Sequence, residues 1–235
     1  MNIIYFIIPF LLLATVALLL KGVFLKATKS GWYPLFLKPV VDNISIDKQY
    51  KHVLDIGTGP GKLAELLIQK DSNLQFTGID INTIYIDEAK RRVKHQNVSF
   101  HYGKANEKLE FADDEFDVVS FCSVLFLLDD NTKTFLMNEA LRVLNQNGKI
   151  IVLTPSGRKT ILSSLIEVWR YPFSSNNWTF IIWKTFTTRS ARKWQHKNWL
   201  DDFSAKQSLN YASTLIFNNN ATIETIAIFG LNEGA

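Results

Sequence analysis

Residues 51–69, KHVLDIGTGPGKLAELLIQ, contain the pattern that decides the fold. A short apolar strand runs into Asp55, glycines follow at positions 57, 59 and 61, and leucines with helical spacing come next. Glycine lets the backbone turn sharply and lets a ligand approach the backbone amides. The stretch therefore predicts a strand, a glycine turn and a helix whose N-terminus faces a ligand.

The spacing of these glycines disfavours two kinds of phosphate site. A dinucleotide-binding turn, G-x-G-x-x-G, would need a third glycine at position 62, which is Lys62. A P-loop ends in G-K-[ST], but Gly61-Lys62 is followed by Leu63. The turn therefore predicts a ligand other than a phosphate group.

A second signal is the stretch LQFTGIDIN, residues 74–82, which predicts a buried strand that ends in Asp80. A carboxylate at the tip of the second strand of an α/β sheet can accept hydrogen bonds from both hydroxyls of a ribose. The alternative role for Asp80 is a helix N-cap. The glycine turn that precedes it favours the ribose interpretation.

Strand and helix patterns alternate through residues 51–156, and one helix is expected to close at Asn147-Gly148. This alternation predicts an α/β, Rossmann-like fold, a mostly parallel sheet with helices on both faces. The ligand is expected at the carboxyl ends of strands one, two and four. Two alternatives stay open at the C-terminus: a helix over 207–218 before a last strand, or a strand over 209–217 that pairs with 222–230.

Over roughly residues 48–156 the chain resembles the class I S-adenosylmethionine-dependent methyltransferases, in particular the small-molecule group of the ubiquinone/menaquinone type. VLDIGTGPG is similar to the first motif of that family, and GIDIN is similar to its ribose motif. FDVVSFCSVLFLLDD resembles the fourth strand with its loop, and LNQNGKIIVLTP resembles the turn into the fifth strand. Four motifs in the same order make the resemblance specific.

The resemblance implies S-adenosylmethionine as the cofactor and a set of residues that bind it. Asp55 and the glycine turn would hold the methionine end, Asp80 the ribose, and Ile81 would flank the adenine. The adenine segment departs from the family pattern because Lys104 stands at the acidic position. The adenine amino group is therefore assigned to Asn106 or to the backbone of Ala105. The full predicted set is Asp55, Gly57, Thr58, Gly59, Gly61, Asp80, Ile81, Ala105, Asn106 and Ser120.

No catalytic base and no metal site is predicted. The methyl group of the sulfonium donor is already activated, so the protein mainly aligns the acceptor and excludes water. His101 and His196 are expected at the surface, and the single cysteine, Cys122, is expected in a pocket wall. The sequence contains no N-P-P-Y or D-P-P-Y motif, which argues against nucleic acid. O- or C-methylation of a small molecule is the better expectation.

Residues 3–20, IIYFIIPFLLLATVALLL, carry no charge. As a helix they would be about 27 Å long, close to the thickness of the hydrocarbon core. We expect a single-pass membrane anchor, with a cleaved signal peptide and a buried core helix as the alternatives. Lysines follow the apolar run, so the positive-inside rule places the catalytic domain in the cytoplasm. Trp32 and Tyr33 are expected at the membrane interface.

Residues 157–200 combine eight basic residues with one acidic residue and five of the six tryptophans. Tryptophan together with lysine and arginine is typical of a surface that lies in a membrane interface. A membrane-interface segment that also forms a lid is the main expectation. A lid alone and an RNA-binding surface are the alternatives.

The predicted organisation has five parts. Residues 1–27 form the transmembrane anchor, 28–47 a juxtamembrane linker, 48–156 the cofactor-binding core, 157–206 the basic and aromatic insertion, and 207–235 a helix or strand that completes the sheet. The resulting hypothesis is a membrane-anchored methyltransferase whose partners are a small lipophilic substrate and membrane lipid. The alternatives are methylation of a membrane-associated protein and a catalytically inactive binding module, which Lys104 motivates.

Overall fold

Seven β-strands form one sheet in the computed structural model of the protein, which describes residues 22–46, 49–104 and 106–228. They are β1 (His52–Ile56), β2 (Gln75–Asp80), β3 (Val98–Tyr102), β4 (Phe116–Cys122), β5 (Leu144–Pro155), β6 (Asn210–Ile216) and β7 (Ala221–Ala227). Their order across the sheet is β3-β2-β1-β4-β5-β7-β6. Strands β1 to β5 are parallel, and β7 is antiparallel to both β5 and β6. The predicted mostly parallel Rossmann-like sheet is confirmed.

Helices cover both faces of this sheet, as predicted. They are α1 (Tyr33–Ser45), α2 (Lys62–Lys70), α3 (Thr83–Arg92), α4 (Asp130–Val143), α5 (Ile161–Glu167), α6 (Thr179–Lys197) and α7 (Trp199–Lys206), and residues 22–27 are also helical. Because successive side chains of a strand point to opposite faces, Val53 and Leu54 belong to different cores. Val53 packs in a cluster with residues of α1, α2 and α3, whereas Leu54 packs with residues of α4 and α7.

The helix before β5 ends earlier than predicted. α4 ends at Val143, and Leu144 already pairs with Phe116 of β4, so Asn147-Gly148 lies inside the strand and does not close the helix. A Cβ atom added at Gly148 would lie 2.6 Å from the backbone oxygen of Asp117. The glycine is therefore required by the close approach of two strands.

The C-terminal residues form a hairpin, so the strand alternative holds and a helix over 207–218 is wrong. Strands β6 and β7 pair in antiparallel register from Asn210↔Ala227 to Ile216↔Ala221. Phe217, Asn218 and Asn219 between them have positive φ angles of 52°, 52° and 64°. Asparagine tolerates this left-handed conformation better than most residues, which allows the turn.

Helix α6 crosses the carboxyl edge of the sheet from one face to the other. Phe180 near its start lies in the core of the α1 face, and Trp194 near its end lies in the core of the α4 face. In between, Arg192 Nε donates to the oxygen of Gly157, just beyond β5, at 3.0 Å. The second half of the insertion is therefore a cover over this end of the sheet.

The aromatic residues assigned to a membrane interface are partly inside the protein. Trp32 and Tyr33 are buried, and Trp32 Nε1 donates to Thr179 Oγ1 at 3.0 Å. The Trp32 ring also packs on Phe180 and Trp183 of α6. Placing Trp32 and Tyr33 at a membrane interface was therefore wrong, because the Trp32 ring joins the linker to the insertion and the Tyr33 ring packs on Phe24 and Phe36.

Within the described ranges, no helix is both long enough and apolar enough to cross a bilayer. The predicted span over residues 3–20 lies outside the described residues. The membrane anchor therefore stays a prediction.

Candidate functional site

The glycine turn after β1 requires its glycines. Gly57, Gly59 and Gly61 have φ angles of 80°, 55° and 73°, where other residues are strained. A Cβ atom added at Gly57 would lie 2.4 Å from Val124 Cγ2, and one at Gly61 would lie 2.9 Å from Ala89 Cβ. Both conformation and close packing therefore exclude side chains here.

The amides of this turn are bonded to the end of β2. The backbone N–H groups of Gly57 and Thr58 donate to the oxygen of Ile79, at 2.8 and 3.0 Å. The Gly59 N–H donates to Asp80 Oδ2 at 2.9 Å. Because these donors already have protein acceptors, the turn does not offer the free amides of a phosphate cradle. The structure supports the sequence argument against phosphate.

Asp80 joins the turn to the helix that follows β2. Its Oδ1 accepts from the Asn82 N–H at 2.8 Å, and Asn82 in turn caps α3. Burial raises the pKa of the Asp80 carboxyl, although the amides of Asn82 and Gly59 oppose the shift. Asp80 is thus held at the tip of β2, next to β1. Strands β2 and β4 flank β1 on opposite sides, so the order of the strands along the chain reverses direction at β1. This switch point is where open α/β sheets bind their ligands.

Asp55 is a buried carboxylate under the turn. Ser120 Oγ on β4 donates to Asp55 Oδ1 at 2.7 Å. Burial raises the Asp55 pKa to about 6, and the Ser120 hydrogen bond opposes that shift. Ser120, predicted as a cofactor contact, is fully buried and touches Asp55, so its place in the fold suits positioning of that carboxylate. A carboxylate kept in apolar surroundings is suited to meeting a cationic ligand group.

Three aromatic rings close the space above the turn. Phe24 Cε1 would lie 2.9 Å from a Cβ atom added at Gly59. The Phe24 ring centroid is 6.0 Å from that of Tyr33 and 5.3 Å from that of Tyr85, both in edge-on geometry. We call Phe24, Tyr33 and Tyr85 the aromatic cover. Arg92 on α3 fixes it, because Arg92 Nη2 donates to Thr28 Oγ1 at 2.7 Å.

Two hydroxyl groups of the aromatic cover and one thiol lie near the carboxylates of the site. Burial, followed by the charges of Cys122 and Asp55, raises the pKa of the Tyr33 hydroxyl well above its ordinary value. Burial and Asp80 raise the Tyr85 pKa to about 12. Burial and the charge of Asp55 raise the pKa of the Cys122 thiol above its ordinary value. All three groups are therefore neutral near pH 7 and line a site of low polarity.

The loop after β4 completes the wall opposite the aromatic cover. Ser123 has a φ of 62°, and its N–H donates to the oxygen of Leu153. Its Oγ is buried and has no hydrogen-bond partner in the described part of the chain. An orphaned hydroxyl beside a glycine turn fits a polar ligand at this point. The residues present therefore fit the predicted cofactor.

The predicted adenine segment lines a cleft of about 190 Å³ with Ile79, Gly103 and Leu109 among its walls. Lys104, which departs from the family pattern, also lines this cleft, and its exposed ammonium group pairs with Glu107 at 3.1 Å. Ile81 and Asn106 are exposed at this end, and Ala105 lies outside the described residues.

The sequence predicted the turn and Asp80 but missed the aromatic cover. Tyr33 lies in the stretch SGWYPLFLKP, which was assigned to a membrane interface, and Tyr85 has no motif around it. His101 and His196 are exposed, as expected. Among the described residues the structure does not identify a catalytic base, and no group of three or more His, Cys, Asp or Glu side chains there could hold a metal ion.

The chain is similar in sequence to known methyltransferases. The family described as "Methyltransferase domain" matches residues 47–211. The chain is 34% identical over 121 residues to a ubiquinone/menaquinone biosynthesis C-methyltransferase of Desulfotalea psychrophila, covering 51% of this chain and 48% of the relative. It is 31% identical over 116 residues to a demethylmenaquinone methyltransferase of Thermotoga maritima, covering 49% and 48%. The chain thus spans about half the length of the curated relatives that it matches.

A solved structure shares the fold at low identity. A putative S-adenosylmethionine-dependent methyltransferase of Methanococcus maripaludis superposes with a TM-score of 0.63 at 17% identity, covering 88% of this chain and 90% of that one. At this identity the likeness supports the fold alone.

Proposed function

The chain belongs to the class I S-adenosylmethionine-dependent methyltransferases, and from this premise we propose that it methylates a small lipophilic, quinone-type acceptor at a membrane surface. The observation that carries the proposal is the glycine turn bonded to Asp80 at the switch point of the sheet, under an apolar aromatic cover. The turn and Asp80 account for the donor, and the cover suits an apolar acceptor.

The protein's part in the reaction is to bind, orient and exclude water. When bound, S-adenosylmethionine supplies a methyl group activated by a sulfonium. Asp80 would hold the ribose hydroxyls, and the Asp55 carboxylate would offset the cationic methionine end. The aromatic cover and Val124 pack against the glycine turn and would exclude water from a bound donor, which would strengthen the charge interactions there.

The acceptor class rests on two kinds of support. The side chains that line the site around the glycine turn are apolar or carry neutral hydroxyl and thiol groups. This lining favours a hydrophobic ring over a charged substrate. The curated relatives at 34% and 31% identity are named for ubiquinone and menaquinone methylation. O- and C-methylation both remain compatible with this site.

The proposal also includes attachment of the chain to a membrane. It rests on the 18 uncharged residues 3–20 and on the lysines that follow them, which would leave the catalytic domain in the cytoplasm. Resistance to extraction by alkaline carbonate is the expected result. Release of the full chain into the carbonate supernatant would overturn the attachment and leave the chemistry untouched.

The chemistry is tested with methyl-labelled S-adenosylmethionine, membrane extract and purified full-length protein. Label is expected in the organic phase, and Asp80→Ala should abolish it, whereas Asp71→Ala on the α2–β2 loop should not. Label in a protein band would indicate a protein acceptor instead. Binding of the donor without transfer to either fraction would identify an inactive binding module.

A further inference from the structure

Helix α5 and the loop after it carry an exposed apolar surface, which we call the apolar cap. Trp169 is 87% exposed and Phe173 is 97% exposed. Single exposed apolar residues are ordinary, but five within twelve positions form a contiguous patch of the kind that marks an interaction site. The cap consists of Leu162, Leu165, Ile166, Trp169 and Phe173.

The cap is presented by a well-anchored scaffold. The opposite side of α5 is buried through Ser164 and Glu167. Glu167 Oε1 accepts from the Tyr171 hydroxyl at 2.9 Å and from Asn220 Nδ2 at 2.7 Å. These bonds fix the turn that projects Trp169 and Phe173 outward, so the exposure of the cap is a property of the fold.

The exposed charged residues of the segment that bears the cap, residues 157–178, are of one sign. Arg158 and Arg170 are exposed, and Glu167 is the one acidic residue between positions 157 and 178. Glu167 is buried and pairs with Lys159 at 3.2 Å, so it does not oppose the surface cations. An apolar surface with a cationic rim is complementary to an anionic lipid bilayer.

The cap lies next to the residues that follow the apolar segment 3–20. Ser174 Oγ donates to the oxygen of Lys29 at 3.2 Å, and the Gly31 N–H donates to Asn177 Oδ1 at 2.9 Å. Lys26 Nζ lies 5.7 Å from the Trp178 ring centroid. Lys26 follows Leu20, the last residue of the apolar segment, by six positions, so the chain between them can span at most about 20 Å.

We propose that the apolar cap is a membrane-docking surface, which inserts Trp169 and Phe173 into the headgroup boundary of an anionic bilayer. The inference rests on the membrane attachment proposed above and adds a second point of contact. Two contacts fix the orientation of the domain, which a single attachment does not.

The test uses full-length Phe173→Cys labelled with the environment-sensitive fluorophore NBD and reconstituted into vesicles of phosphatidylcholine and phosphatidylglycerol. Some of the lipid carries a nitroxide quencher on its acyl chain. Ile46→Cys is the matched control, because Ile46 is equally apolar and 81% exposed but follows the far end of α1. Unsubstituted protein reports any labelling of the half-buried Cys122.

The expected result is that acyl-chain quencher removes roughly half or more of the NBD emission at position 173 and leaves position 46 unchanged. Replacing both Arg158 and Arg170 with Gln should weaken quenching in anionic vesicles more than in pure phosphatidylcholine. A blue-shifted but unquenched label at 173 would mean that a second copy of the chain covers the cap, and it would overturn the proposal.

Failure of docking and failure of attachment give different results. Carbonate-resistant protein with an unquenched label at 173 would overturn the docking surface and leave the anchor standing. Carbonate-extractable protein with a quenched label would overturn the anchor and support the docking surface.

Discussion

At the scale of single residues, Asp55 opposes stability and supports binding. Its folded-state pKa of about 6 exceeds the ordinary 3.8, so between these values the native state binds more protons than the unfolded state. Below about pH 4 the carboxyl is protonated in both states and its burial carries no charge penalty. The free energy of unfolding therefore falls as the pH rises through 6. At pH 7 the buried charge costs about 2–3 kcal/mol.

Asp55→Asn should therefore raise the free energy of unfolding at pH 7 by about 1–2 kcal/mol, with the gain vanishing below pH 4. The same change should raise the Kd for S-adenosylmethionine roughly 10- to 100-fold, because a charged contact is lost. Urea denaturation across pH and calorimetric titration measure the two effects. Loss of both stability and affinity would contradict this account.

Gly59→Ala tests the contact between the turn and the aromatic cover. The new Cβ meets Phe24 Cε1 at 2.9 Å, and a φ of 55° strains any residue other than glycine. We expect a destabilisation of about 1–2 kcal/mol and weaker donor binding. In a double-mutant cycle, Phe24→Ala should recover only part of the loss, since the backbone strain stays. Full additivity would show that Phe24 does not contact the turn.

At the scale of elements, helix α6, which crosses the carboxyl edge of the sheet, carries a buried lysine. Lys184 is 1% exposed, and burial lowers its pKa to about 8. Between pH 8 and 10.5 the unfolded state binds more protons, so the stability contribution of this group rises with pH in that window. Lys184→Met should stabilise the protein by about 1–3 kcal/mol at pH 7, with the difference shrinking towards pH 10.

Lys193→Met on the exposed side of the same helix is the control and should change the unfolding free energy by less than about 0.5 kcal/mol. Thermal and urea unfolding at pH 7 and pH 10 measure both variants. Destabilisation of Lys184→Met at pH 7 would mean that the attraction between Lys184 and Glu167 outweighs the burial of the charge.

At the scale of the whole molecule, membrane attachment and docking predict that the rate of methylation depends on the density of the acceptor in the bilayer. Methylation of a demethylquinone with an isoprenoid tail should fall when vesicle lipid is added at constant total quinone, because its density in the bilayer falls. The tail-less headgroup should show no such dilution. Equal behaviour of the two compounds would mean that the acceptor arrives from water.

The sequence predicted the parts of this molecule that local spacing determines. The turn over Gly57–Gly61, the acid at Asp80 and the parallel strands follow from short patterns. Trp32 was misplaced because an aromatic residue after an apolar segment has the same local pattern in a core as at a membrane. The sequence did not decide between a helix and a hairpin at the C-terminus. The turn of the hairpin depends on a left-handed backbone at Asn218, which several sequences can adopt.

The tethering of the apolar cap has a consequence for how such a protein could change over evolution. The segment that bears the cap is fixed at its start, where the Ser156 N–H donates to the oxygen of Asn220, and near its end through Asn177. Neither bond involves the glycine turn or Asp80. The exposed residues of the cap can therefore change in sequence while the donor site is inherited intact, whereas Glu167 and Tyr171, which hold the cap to the core, are constrained.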